Sequence, residues 1–72
     1  MAKPHWVDAP EWAQWLAQDS DGQWFWHEFE PAPLFVVIHG QPSFWTAGGG
    51  SYDWARTTPV KGDWTSTLEA RP

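Results

Sequence analysis

Gln23-Trp24-Phe25-Trp26-His27-Glu28-Phe29 is the stretch on which the reading of the fold turns. Nothing else in the 72 residues packs aromatic side chains so densely. Asp19-Ser20-Asp21-Gly22 precedes it and must turn the chain, with Gly22 supplying a positive φ. Glu30-Pro31-Ala32-Pro33 follows and cannot continue a strand. Aromatic residues suit a pleated, half-buried surface, so the stretch reads as a β-strand. Alternation sends Trp24, Trp26 and Glu28 to one face and Phe25, His27 and Phe29 to the other. Both faces are aromatic, and a chain this short has little with which to cover two.

Upstream, Asp8-Ala9-Pro10-Glu11 has the marks of a helix start. Asp8 can cap, Pro10 is tolerated in the first turn, and Glu11 complements the dipole. The predicted helix runs to Gln18, with Trp12, Trp15 and Leu16 at i, i+3 and i+4 as one apolar stripe. Glu11, Gln14 and Gln18 take its outer face. Residues 1–7 read as an extended N-terminal arm, since Pro4 disfavours helix. Downstream, Leu34-Phe35-Val36-Val37-Ile38-His39 is a continuous apolar, β-branched run, predicted as the central strand. Gly40-Gln41-Pro42-Ser43 reads as a hairpin turn into a third strand, Phe44-Trp45-Thr46-Ala47. Residues 48–62 read as an irregular loop anchored by Tyr52 and Trp54, and Asp63 caps a helical turn within residues 64–68. The predicted architecture is a single small α+β domain over residues 1–72. One N-terminal helix packs on a three-stranded antiparallel β-sheet, and a short C-terminal helical turn closes the chain.

Domains of this size have marginal cores and need disulfides, metal or dense apolar packing. There is no cysteine, so disulfides are excluded, and the eight Trp are the substitute. Each buries about 150–250 Å². The net charge is −5, and six acids from Asp8 to Glu30 stand with no Lys or Arg among them. Such a chain is repelled by phosphate backbones and anionic lipid, which argues against nucleic-acid and membrane binding. A basic protein partner is compatible with it. No apolar run approaches the ~20 residues of a membrane span. Met-Ala-Lys-Pro-His-Trp lacks the apolar core of a signal peptide, so a cytoplasmic protein is expected.

Constellations that could carry chemistry are incomplete. Asp19, Asp21, Gly22 and Glu28 fall at four positions of a calcium loop, but Ala17 occupies the first position and prolines forbid the following helix. His5, His27 and His39 match no zinc spacing. No serine sits in a nucleophile elbow, and Glu28 and Glu30 are not placed as an acid–base pair. Gly48-Gly49-Gly50 lacks the lysine of a phosphate loop. The expectation is no metal, no cofactor and no catalysis, with Asp19, Asp21 and Gly22 as a structural turn. The aromatic residues allow a core, a sugar-stacking platform or a protein interface. Trp24 and Trp26 are expected to face Trp12 and Trp15 of the helix. Phe25, His27, Phe35 and Trp45 then form the more exposed binding set, on a face to be covered by residues 48–62, by a second copy in a homodimer or by a partner.

Three groups of residues carry a family resemblance. They are Ala9-Pro10-Glu11-Trp12-Ala13, then Asp19-x-Asp21-Gly22-x-Trp24-x-Trp26 with Glu28 and Pro31, and a closing Trp64-x-x-x-Leu68-Glu69-x-Arg71-Pro72. Together they resemble a group of short, functionally uncharacterised proteins encoded by tailed bacteriophages and prophages. In that group the ending expected is closer to Asn-x-Trp-x-x-Ser/Thr-Leu-Glu-x-Arg-Pro, and here Gly62-Asp63 replaces the polar Pro-Asn pair. The likeness covers both ends and the aromatic strand, and leaves out residues 33–60. It carries over no catalytic residue. It implies an accessory phage protein acting in the host cytoplasm. The function expected with it is non-enzymatic binding of a host or phage protein through an aromatic, acidic surface. The alternative is a carbohydrate-binding module built on exposed Trp rings.

Overall fold

The computed structural model describes residues 3–38, 40, 43–57 and 62–72. Its strands are β1 (Trp15–Gln18), β2 (Trp24–His27), β3 (Pro33–Leu34), β4 (Phe44–Trp45), β5 (Tyr52–Trp54) and β6 (Glu69–Ala70). Among the described residues the helical elements are two 3-10 turns, Trp6–Asp8 and Trp64–Ser66. No helix among them is long and apolar enough to cross a membrane. The protein is therefore mostly small sheet, and the predicted α+β architecture is wrong.

The principal error lies in residues 11–18, where the predicted helix is absent. Residues 11–12 turn, and Trp15–Gln18 runs as the strand beside β2. The register is antiparallel, pairing Trp15 with His27, Leu16 with Trp26, Ala17 with Phe25 and Gln18 with Trp24. On its other side β1 pairs with β6, Trp15 to Ala70 and Leu16 to Glu69. The spacing of Trp12, Trp15 and Leu16 fits a helix, yet residues 15–18 form a strand. An isolated helix of this length is unstable in water because its nucleation is costly. A strand with neighbours on both sides satisfies its backbone and buries Leu16 and Ala17 completely.

The main sheet has the order β5-β2-β1-β6. Because directly opposed residues share a face, Leu16, Gln18, Trp24 and Trp26 point one way. That side carries the core of Ala13, Leu16, Trp24 and Trp26, with Trp6, Ala9, Trp12 and Ala55 packed against it. Trp24 and Trp26 were expected to face Trp12 and Trp15 of a helix; that helix is absent, and the two rings are buried on the core side instead. Trp6 meets Trp26 at 5.0 Å and 56°. The segment read as an extended arm makes a 3-10 turn at Trp6–Asp8 and packs down against the core and Glu69. Its Lys3 and Trp6 Nε1 both donate to the Glu69 carboxylate at 2.6 Å.

Residues 34–38 do not form the central strand. Only Pro33–Leu34 is strand, paired with Phe44–Trp45 in a separate two-stranded sheet. Prolines 31 and 33 deny the run two backbone donors at its entrance. His39 lies outside the described residues. The small hairpin is tied to the main sheet through the β1–β2 turn. Trp45 Nε1 donates to the Gln18 carbonyl at 3.0 Å, the Trp45 amide to Asp19 Oδ1 at 2.9 Å, and Ser20 Oγ to the Ser43 carbonyl at 2.7 Å. Within residues 48–62, read as irregular, Tyr52–Trp54 is an ordered edge strand of the main sheet. The C-terminal helical turn is present as the 3-10 turn at Trp64–Ser66. The Asp63 carboxylate accepts the hydroxyls of Thr65 and Ser66, and its carbonyl accepts the Ser66 amide at 3.3 Å.

Candidate functional site

The side of the main sheet away from the core is the candidate site. Opposed residues place His27 beside Tyr52 and Phe25 beside Trp54, with Trp15 and Ala17 on the adjacent β1. These two β2–β5 pairs are of the kind without direct hydrogen bonds, in which side chains lie closest. The outcome is a set of neighbouring aromatic rings. Phe25 and Tyr52 stand 6.2 Å apart and tilted by 53°, and His27 stacks on Tyr52 at 6.4 Å and 22°. Tyr52 and Trp54 are exposed, and Phe25 is half-buried. Gln23, Phe25 and Trp54 line a depression of about 360 Å³. Trp54 Nε1 donates to Gln23 Oε1 at 2.7 Å, and the Arg56 guanidinium lies 5.5 Å from the Trp54 ring centre. The bordering charge includes Asp53, which projects to the opposite face between Tyr52 and Trp54.

The expected binding set of Phe25, His27, Phe35 and Trp45 is not one exposed cluster. His27 is only 2% exposed, and Trp45 is buried. Trp45 was read as a surface residue of a third strand, but its ring is edge-on to Trp64 at 5.9 Å and its ring N–H is committed to Gln18. Phe35 is well exposed, yet it belongs to the hairpin, where its ring meets Trp64 at 5.3 Å. Of the four, Phe25 and His27 lie on the sheet side described here, and of these two only Phe25 is partly exposed. Sequence reasoning missed Tyr52 and Trp54. A signal was present, since Tyr52-Asp53-Trp54 alternates aromatic, acidic and aromatic. The preceding triple glycine disguised it as loop.

His27 is buried with neither ring nitrogen hydrogen-bonded among the described residues. Burial drives its pKa down to about 4, so the ring is neutral near pH 7. Asp19 shows the reverse effect. Burial pushes its pKa up to about 6, the Trp45 amide opposes that rise, and the charge of Asp21 adds to it. The turn itself is built as its residues require. Gly22 has φ +93°, Asp21 Oδ1 accepts the Gln23 amide at 3.0 Å, and Gln18 Nε2 donates to the Gly22 carbonyl at 3.2 Å. Glu28 Oε1 accepts the Ser51 amide at 3.0 Å. The carboxylates that mimicked a calcium loop thus serve backbone donors. Among the described residues no three acidic or histidine side chains converge on a possible ion position.

No family model, curated protein or solved structure matches this chain.

Proposed function

We propose that this chain is a small phage accessory protein that acts in the host cytoplasm, without catalysis, by binding a host or phage protein. The surface assigned to that contact is the Phe25–Tyr52–Trp54 face of the β5 edge, with Asp53 on the opposite face of the same strand. The observation that carries the reading is the exposure of Tyr52 and Trp54 beside Phe25, in a chain whose other Trp are half-buried or buried. Aromatic residues of this kind are enriched at the energetic centres of protein interfaces. The net charge of −5 favours a basic partner. The phage origin rests on the residue pattern at the two ends and in β2. The non-catalytic character is supported by the use of Ser20, Ser43, Ser66 and Thr67 hydroxyls as structural hydrogen-bond groups.

Carbohydrate binding draws less support. A sugar platform calls for a row of coplanar exposed rings, whereas Trp54 is the one exposed Trp of eight and the Phe25 and Tyr52 rings are tilted. The deciding experiment is affinity capture from host and infected-cell lysates with the wild type and with the double variant Tyr52→Ala/Trp54→Ala. Proteins retained by the first and lost by the second support the reading. Equal retention by both would overturn it.

A further inference from the structure

The two edges of the main sheet are finished differently. At β6 the N-terminal arm is bonded to one side chain, with Lys3 and Trp6 on Glu69, and Ala70 is exposed. At β5 every residue is exposed. The hydrogen bonds from the Glu28 amide to the Ser51 carbonyl and from the Ala55 amide to the Trp24 carbonyl show which way β5 faces. Residues 51, 53 and 55 turn their backbone groups toward β2. The N–H and C=O groups of Tyr52 and Trp54 therefore point outward, and no described residue pairs with them. The strand ends at Trp54, and Arg56 beyond it takes φ +58°.

We infer that β5 is a template for strand addition, and that its occupant is an extended segment of a basic partner protein with Lys or Arg between two apolar residues. This deepens the proposed function and rests on it. An antiparallel strand that uses all four outward groups sets two partner residues opposite Tyr52 and Trp54, on the aromatic face. The residue between them lies opposite Asp53, on the other face. Apolar side chains suit the first two positions, and a cation suits the third. The same register argues against a second copy of this chain. Two β5 strands paired about their centre would set Asp53 against Asp53 in a close pair, with Cα atoms about 4.5 Å apart. Like charges so placed oppose pairing.

The test uses two synthetic peptides, acetyl-Thr-Thr-Val-Lys-Val-Thr-Thr-amide and its Val-Glu-Val counterpart, titrated into the full-length protein by NMR. The Lys peptide should bind at least about fivefold more tightly than the Glu peptide. It should slow exchange of the Tyr52 and Trp54 amides while leaving the Ala55 amide unchanged. Asp53→Lys should invert the preference, and Asp53→Asn, a milder change at this exposed position, should abolish it. Equal binding of both peptides by wild type and Asp53→Lys, lost in Tyr52→Ala/Trp54→Ala, overturns the basic strand but leaves the aromatic face as a docking surface. Absence of binding by either peptide overturns strand addition, and lysate capture then judges the function separately. Concentration-dependent dimerisation of the wild type that protects the same two amides assigns the edge to a second copy and also overturns the proposal.

Discussion

The β1–β2 pair and the β3–β4 hairpin are both aromatic ribbons, yet they differ in burial. In the first, Leu16 is fully buried and Trp26 is 3% exposed, although Gln18 and His27 interrupt the apolar pattern. In the second, the most continuous apolar run of the sequence leaves Phe35 63%, Val37 95% and Ile38 67% exposed. Hydrophobicity alone would rank them the other way. The difference is in neighbours. Each strand of the first pair has ladders on both sides, whereas β3 and β4 have only each other. A two-stranded hairpin is marginal by itself, and this one is held by a few bonds to the Gln18–Ser20 turn. Burial here follows position within the larger sheet.

The largest test of that contrast is a pair of truncations. Trp26→Ala should cost about 3–5 kcal/mol, the range for a buried aromatic side chain. Val37→Ala should change stability by less than about 0.5 kcal/mol, as at other exposed positions. Urea denaturation of both variants measures the gap. Comparable losses would mean that the hairpin run is buried in solution and that the two ribbons are equivalent.

The turn linking the regions comes next. Gly22 is buried at φ +93°, a conformation that a β-branched side chain resists. Gly22→Val should destabilise by about 1–3 kcal/mol. An unchanged denaturation midpoint would show that the turn does not fix the geometry of either ribbon.

A smaller effect isolates the tether. Trp45→Phe keeps an aromatic ring against Trp64 and removes the ring N–H that reaches Gln18. The expected cost is about 0.5–1.5 kcal/mol. Hydrogen exchange should quicken at the Thr46 amide, which bonds to the Ala32 carbonyl inside the hairpin. Amides between β1 and β2 should keep their protection relative to global unfolding. Uniform loss across both sheets would join them into one cooperative unit.

Much of β2 was legible in the residues. Aromatic alternation, the Asp-rich turn before it and the prolines after it gave the strand and the buried side of Trp24 and Trp26. Residues 11–18 were ambiguous because Trp12, Trp15 and Leu16 satisfy helical spacing while Trp15 to Gln18 also pair as a strand. Local pattern could not reveal that β6, some fifty positions away, would supply the second ladder. The same non-local pairing hid Tyr52 and Trp54, whose three-residue strand acquires meaning only beside Phe25 and His27. For Trp45, the deciding contact is a single hydrogen bond to a distant carbonyl, which side-chain hydropathy does not report.

The smallest expected effect is a near-cancellation with pH, and it again sets the main sheet against the tether. His27 sits in the sheet with its pKa lowered from 6.5 to about 4 by burial. The unfolded chain takes up this proton first, so the stability His27 contributes is present above pH 6.5 and is lost as pH falls toward 4. Asp19 sits in the tether with its pKa raised from 3.8 to about 6, burial being the main cause. The folded chain takes up that proton first, so its contribution is complete below pH 3.8 and is lost as pH rises through 6. Over pH 4–6.5 the two slopes have opposite sign. The two shifts are similar in size and opposite in sign, so the wild type should vary by less than about 1 kcal/mol across this window from these two sites. Single substitutions should expose each slope. Asp19→Asn keeps an acceptor for the Trp45 amide and cannot titrate, so that variant should lose stability on acidification from pH 6.5 to 4. His27→Phe removes the opposing site, and that variant should gain stability over the same interval. Denaturation midpoints at half-unit pH steps measure both. If the two variants tilt in the same direction, one of these groups is not buried as described. A wild type that shares the tilt of His27→Phe would identify the sheet histidine as the solvated one.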